Sequence, residues 1–176
     1  MKRFLVVVDM QKDFVDGALG SKEAAAIVPN VVKKIRAFDG EIFVTCDTHF
    51  ENYMETAEGK KLPVPHCIKG SAGWQLDDAV AEALQEKAYT AVEKPTFGSV
   101  ELPKRIEAAA GGEEFTVELI GLCTDICVVS NALLLKASFP EYGIAVDASC
   151  CAGVSPATHN AALDTMGCCQ IDILGR

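Results

Sequence analysis

Three ionisable residues, far apart in the chain, each follow a strand-like run. Asp9 follows Phe4–Val8, Lys94 follows Tyr89–Glu93, and Cys127 lies in Gly121–Val128 (GLCTDICV), just beyond Phe115–Ile120. A carboxylate, an amine and a thiol together suit hydrolysis of an amide through a covalent thioester. Cys127 would attack the carbonyl carbon. Asp9 would take the thiol proton and later deliver it to departing ammonia, while Lys94 would hold the carboxylate and bias the thiol towards thiolate. A cysteine at a helix start also faces unpaired N–H groups and the positive end of the macrodipole, which favour thiolate. The developing oxyanion needs fixed donors, for which the backbone N–H groups of Cys123 and Cys127 are the candidates. Cys123 rivals Cys127 as nucleophile on residue type, but it stands in the turn ahead of the helix. Taken alone, Asp9 and Lys94 also suit a structural ion pair at two strand ends.

A second set is Asp47, His49 and His66. Asp47 and His49 are two apart, hence on the same side of an extended strand. With His66 they offer a carboxylate and two imidazoles, a donor set for zinc, manganese or iron(II). A hydrogen-bonded cluster without metal would use the same residues. The remaining histidine, His159, falls in a predicted helix and reads as structural.

The elements that must position these side chains alternate along the whole chain. Apolar runs predict strands at Phe4–Val8, Glu41–Cys46, Thr90–Glu93, Phe115–Ile120, Gly143–Val146 and Gln170–Leu174. Amphipathic stretches predict helices at Ala24–Phe38, Asp77–Leu84, Glu101–Ala109, Asp125–Ala137 and Pro156–Met166. Ser155-Pro156 is a capped helix start, and Gly111-Gly112 ends the Glu101–Ala109 helix. Unbroken Val/Ile/Leu strands are those buried on both faces, as in parallel sheets covered by helices. Residues 1–176 therefore read as a single-domain three-layer α/β/α sandwich around a mainly parallel, six-stranded doubly wound sheet. In such sheets sites form at the carboxyl ends of strands, where Asp9, Lys94 and Cys127 all fall. The long segment Asp47–Trp74 has no regular pattern and follows a strand's carboxyl end, where it can overhang the site.

Composition narrows the partners. Of 176 residues, 49% are hydrophobic, enough for one substantial core. The net charge is −9 and the 16 basic residues form no long cluster, which argues against nucleic acid and anionic membranes. The first apolar run stops at Asp9, too soon for an export signal. Eight cysteines without such a signal read as reduced thiols of a cytoplasmic protein. No Cys-x-x-Cys pair occurs, which disfavours a zinc ribbon or a thioredoxin-type site. Cys150-Cys151 and Cys168-Cys169 read as small apolar residues packed near strand boundaries. Apolar helix faces point to a homo-oligomer, and a small molecule is the expected partner.

Asp9–Phe14 (DMQKDF), Lys94–Ser99 (KPTFGS) and Gly121–Val128 resemble the three signature segments of the isochorismatase-like cysteine hydrolases, of which nicotinamidases are members. The resemblance spans about Lys2 to Gln170. It implies the roles given above for Asp9, Lys94 and Cys127, and a cis peptide at Leu122–Cys123, with Thr124 and Asp125 bracing the turn. By the same resemblance Asp47, His49 and His66 would be ligands of one divalent ion, zinc first, with manganese or iron as alternatives. The family's fourth ligand is a His or a Glu. No histidine lies between 50 and 65, which leaves Glu58, with Glu55 as its rival. Phe14 matches a pocket-lining position and Phe97 would join it, though both also suit ordinary core. Nicotinamidases often carry an aromatic three residues before the last metal histidine. Here that position is Pro63, with Trp74 as a possible substitute. The implied activity is a metal-containing cysteine amidohydrolase converting nicotinamide to nicotinic acid and ammonia. Its rivals are a related amidase for another small carboxamide or an N-carbamoyl or ureide compound, and a degenerate small-molecule-binding protein.

Overall fold

Strand β1 (Lys2–Val8) is apolar without a break because both its faces are buried. Phe4, Val6 and Val8 point into one core cluster, while Leu5 and Val7 point into the other. The computed structural model describes all residues 1–176. After β1 come α1 (Lys12–Val15), α2 (Lys22–Ala37), β2 (Glu41–Asp47), a 3-10 turn at Tyr53–Glu55, α3 (Ala57–Lys61), α4 (Asp78–Gln85) and β3 (Tyr89–Lys94). The second half contains α5 (Glu101–Ala110), β4 (Phe115–Leu122), a π-helical turn at Thr124–Val128, α6 (Val129–Ser138), β5 (Gly143–Ala152), α7 (Pro156–Cys168) and β6 (Asp172–Leu174).

The six strands form one sheet in the order β3-β2-β1-β4-β5-β6, every neighbouring pair parallel. One face packs on α5, α6 and α7 through Leu102, Ile106, Leu135, Leu163 and Met166. The other packs on α2 and α4 through Ile27, Val31, Ile35, Val80 and Leu84. The chain runs outward from β1 to β2 and β3, then crosses back to β4 on the opposite side of β1. That reversal opens a crevice at the carboxyl ends of β1 and β4, where open α/β sheets bind ligands. No helix is long and apolar enough to cross a membrane.

Two features keep the crevice narrow. Gly121, near the end of β4, has φ +118, and a Cβ there would lie 2.2 Å from the Val8 carbonyl oxygen, so only glycine lets the strands approach this closely. Asp9, immediately after β1, adopts φ +48, a left-handed conformation that aspartate tolerates better than most residues.

The structure departs from the sequence reading in several places, among them the short helix α1 and the later start of β6. Asp47–Trp74 is not wholly irregular, since it holds the 3-10 turn and α3, whose start is capped by Thr56 Oγ1 accepting from Gly59 N–H. β5 runs on to Ala152, because a register shift against β4 between Leu119 and Gly121 lets the strand continue past polar Asp147 and Ser149. Cys150 and Cys151 are buried in that extension, but Cys168 and Cys169 are exposed at the end of α7. The helix expected from Asp125 begins with a π turn, and regular α-helix starts only at Val129.

Candidate active site and metal centre

The ends of β1, β2 and β3 bring Asp9, Asp47 and Lys94 side by side, and the π turn after β4 adds Cys127. All four are buried, Asp9 completely. Lys94 Nζ is the hub. It lies 2.6 Å from Asp9 Oδ2, 3.5 Å from Asp47 Oδ1 and 3.6 Å from Cys127 Sγ, and donates to the Thr96 carbonyl at 3.0 Å. Asp9 Oδ1 accepts from Thr45 Oγ1 at 2.6 Å, while Oδ2 has no hydrogen-bond donor besides the ammonium it faces.

Protonation in this cluster follows from burial and charge. Burial alone would drive the Lys94 ammonium down, but Asp9, Cys127 and Asp47 around it win and hold its pKa above the usual lysine value. Burial raises the Asp9 carboxyl above its ordinary value, against the pull of Lys94. The Cys127 thiol is pushed well up by burial and then by the Asp9 charge, with Lys94 compensating only in part. The expected bias towards thiolate is therefore not what the geometry produces. Burial and the Asp9 charge weigh towards the protonated thiol at Cys127, next to the Lys94–Asp9 pair.

Asp47 joins this cluster to the second one. While Oδ1 faces Lys94, Oδ2 lies 3.0 Å from His49 Nε2 and 3.5 Å from His66 Nε2. One ligand atom from each of Asp47, His49 and His66 falls within 4.8 Å of the other two. His66 Nδ1 bonds the Val64 carbonyl at 2.8 Å, which as a donor leaves Nε2 with its lone pair facing the cluster, the arrangement metal-binding imidazoles use. Burial raises the Asp47 carboxyl, but the His49 and His66 nitrogens beside Oδ2 and the Lys94 charge outweigh it and hold the group well below the carboxylate range. Glu58 Oε1 stands 3.7 Å from Nε2 of both histidines, whereas Glu55 is exposed on the 3-10 turn. Three buried donors, with the Glu58 carboxylate behind them as a fourth, fit a divalent cation.

Several supporting residues carried no signal in the sequence. Fully buried Gln11 clips the β2 end in place: its Oε1 accepts from Asp47 N–H at 2.7 Å and its Nε2 donates to the carbonyls of Asp47 and Trp74. Buried Asn131 ties the nucleophile turn to the Lys94 loop, donating to the Cys127 carbonyl at 2.8 Å and accepting from Ser99 N–H at 2.9 Å. Tyr53 sets its ring edge-on to His49 and His66, with centroids 4.8 and 5.1 Å away. It supplies the aromatic wall that Pro63 cannot. Trp74 points elsewhere, donating from Nε1 to Thr48 Oγ1. A buried Gln or Asn looks like any polar residue until its partners, distant in sequence, are known.

A cavity of about 810 Å³ opens over the cluster, bounded by His49, Tyr53, Glu58, Pro95, Phe97 and Ile126 among others. Phe97 thus lines it, but Phe14 does not, since its ring packs on His66 in the core at 5.4 Å between centroids. The turn below is held from outside: Asp125 accepts from Val154 N–H, and Thr124 bonds His159. The Leu122–Cys123 peptide is cis.

Comparison with known proteins fits this geometry. The nicotinamidase/pyrazinamidase of Mycobacterium tuberculosis is 25% identical across 98% of both chains. A pyrazinamidase/nicotinamidase of Streptococcus mutans superposes with a TM-score of 0.81 at 28% identity, covering 98% of this chain and 100% of that one. A pyrazinamidase of Pyrococcus horikoshii, solved in complex with zinc, shares the fold with a TM-score of 0.79 at 24% identity over the full length of both. The isochorismatase domain family matches residues 3–173, nearly the whole chain, and the protein belongs to that family.

Proposed function

We propose that this isochorismatase-family hydrolase is a metal-containing cysteine amidohydrolase that converts nicotinamide to nicotinic acid and ammonia. The observation that carries this reading is the shared Asp47 carboxylate, one oxygen towards Lys94 and the other towards His49 and His66. It links the candidate metal donors to the Lys94 ammonium, which in turn lies 3.6 Å from the candidate nucleophile Cys127, beside a cavity lined by His49, Glu58 and Ile126. Relatives whose names include nicotinamidase support it.

In this reading Asp47, His49 and His66 hold the ion, with Glu58 as a nearby or water-bridged fourth ligand. The donor set suits zinc, as well as manganese or iron(II). When bound, the ion supplies a Lewis-acidic partner for a pyridine nitrogen and so orients the ring. As the carboxamide reaches the thiol, Asp9 accepts the Sγ proton and Cys127 bonds the carbonyl carbon. The oxyanion is received by the backbone N–H groups of Cys123 and Cys127. Asp9 then returns the proton to the leaving nitrogen, ammonia departs and a thioester remains on Cys127. Water, deprotonated by Asp9, hydrolyses it to the acid and the free thiol. Lys94 keeps Asp9 ionised between these transfers. Eight free cysteines are consistent with a cytoplasmic setting.

A cavity of about 810 Å³, roomy for a single ring, favours one second reading, an amidase for a larger carboxamide or an N-carbamoyl compound. An ammonia-release panel of nicotinamide, pyrazinamide and N-carbamoyl amino acids, run with and without chelator, separates the two. Nicotinamide and pyrazinamide are expected to be the preferred, chelator-sensitive substrates. Turnover of carbamoyl compounds alone would overturn the nicotinamidase reading.

Lys94→Met is expected to cut turnover at least ~100-fold and to lower the urea midpoint. Removing one partner of a buried pair costs about 3–5 kcal/mol unless the orphaned Asp9 takes up a proton, and a protonated Asp9 is no base. Near-wild-type turnover in this variant would rule Lys94 out of the site.

A further inference from the structure

We infer that His159, on α7, is a positioning residue for the nucleophile turn. It acts through Thr124, a second clamp on the backbone that presents Cys127. The inference rests on Cys127 being the nucleophile, as proposed above. Thr124 is the first residue of the π turn, and its side chain is completely buried. A buried hydroxyl needs a partner, and Thr124 Oγ1 finds it 2.7 Å away in His159 Nδ1. His159 lies far along the chain, on the first turns of α7.

The neighbouring residue makes a parallel attachment. Both carboxylate oxygens of Asp125 accept from Val154 N–H, at 3.1 and 3.2 Å, in the loop that leads into α7. Gly153 in that loop lies so close to His159 that a Cβ would fall 2.9 Å from the histidine's backbone nitrogen and Cβ. Two successive residues of the turn are thus fastened to one rigid corner formed by the end of β5 and the start of α7. Within the turn itself, Ile126 and Val128 N–H both point to the single carbonyl of Cys123. Val129 N–H reaches the Thr124 and Ile126 carbonyls of the same turn, and such a π geometry occurs mostly as a single-turn departure from α-helix, frequently at functional sites. The rotation the turn must resist is the one that would carry Cys127 Sγ away from Lys94, now 3.6 Å distant. Burial lowers the His159 pKa, so the ring is neutral near pH 7 and one nitrogen is free to accept from the threonine hydroxyl.

The test uses His159→Leu, His159→Asn and Thr124→Val in the full-length, metal-replete protein. Asparagine can set an amide atom where Nδ1 stands, and leucine cannot. His159→Leu is expected to lower kcat about tenfold or more with KM within about twofold, because misplacing a nucleophile slows the chemical step more than it weakens binding. His159→Asn should recover most of the loss. Thr124→Val should match His159→Leu, and the double variant should be no worse than either alone. Metal content should stay at the wild-type level throughout. Amide hydrogen exchange of the 121–130 segment should accelerate in the leucine variant and not in the asparagine variant. Unchanged kcat in His159→Leu, equal loss in the leucine and asparagine variants, or additive losses in the double variant would each overturn the inference. A wild-type enzyme that releases no ammonia would count against the proposed activity instead, and the exchange measurements would still decide whether His159 clamps the turn.

Discussion

Cys127→Ala is expected to slow ammonia release from nicotinamide at least about 10⁴-fold while leaving the fold intact, because no other group in the site can form the thioester. The substitution removes one buried sulfur from the core cluster around Val128 and Leu135, so the urea midpoint should fall by no more than about 1 kcal/mol equivalent. Cys123→Ala is the control and should keep a measurable fraction of activity. Its thiol is half-buried, and burial followed by the Asp125 charge pushes it up to about 12, with no amine beside it to stabilise a thiolate. The covalent site can be read directly by trapping with a pyridine aldehyde or iodoacetamide and mapping the digest by mass spectrometry. Exposed Cys168 and Cys169 will be alkylated in any experiment of this kind, so the mapping belongs in a Cys168→Ser/Cys169→Ser background. Substrate-protectable label on Cys127 is the expected outcome. Protectable label on Cys123, or more than about a tenth of wild-type turnover in Cys127→Ala, would overturn the assignment.

His49→Ala should empty the metal centre and lower nicotinamide turnover by roughly 10²-fold or more, since an unanchored ring presents its carboxamide to the thiol only occasionally. Elemental analysis should find about one divalent ion per wild-type chain and little in the variant. Chelator should reproduce the loss, and added zinc, manganese or iron(II) should restore the wild type but not the variant. Because His49 touches Asp47 and not the thiol, Cys127 should still be alkylated in His49→Ala. Glu58→Gln should fall between the two, as its carboxylate stands 3.7 Å from each histidine nitrogen, behind the three inner donors. A wild-type enzyme fully active on nicotinamide with no bound metal would leave Asp47, His49 and His66 as a hydrogen-bonded structural cluster.

Much of this architecture was legible in the chain. Unbroken apolar runs alternating with amphipathic stretches imply parallel strands buried on both faces, because only helices on each side can cover them. Residues that end such runs must lie at one edge of the sheet, which put Asp9 and Lys94 on the same rim before any contact was known. The two-residue spacing of Asp47 and His49 aims both side chains the same way along an extended segment. Local rules of this kind act within a few residues, so sequence alone states them.

Tertiary structure decided what depends on distance and burial. Strand order set β1 between β2 and β4, and so brought Asp9 within reach of both Lys94 and Cys127. Helix α3 set Glu58, and not Glu55, 3.7 Å from the two histidine nitrogens, and the turn before it made Tyr53 the aromatic neighbour of the histidines. Gln11, Asn131 and the Thr124–His159 pair gain their roles only from partners remote in the chain. The protonation of Cys127 is the clearest case. A helix start and a lysine argue locally for thiolate, but removal from water and the neighbouring Asp9 charge argue more strongly for the thiol. Solvation and Coulomb energies sum over everything the fold packs around an atom, and no stretch of sequence contains that sum.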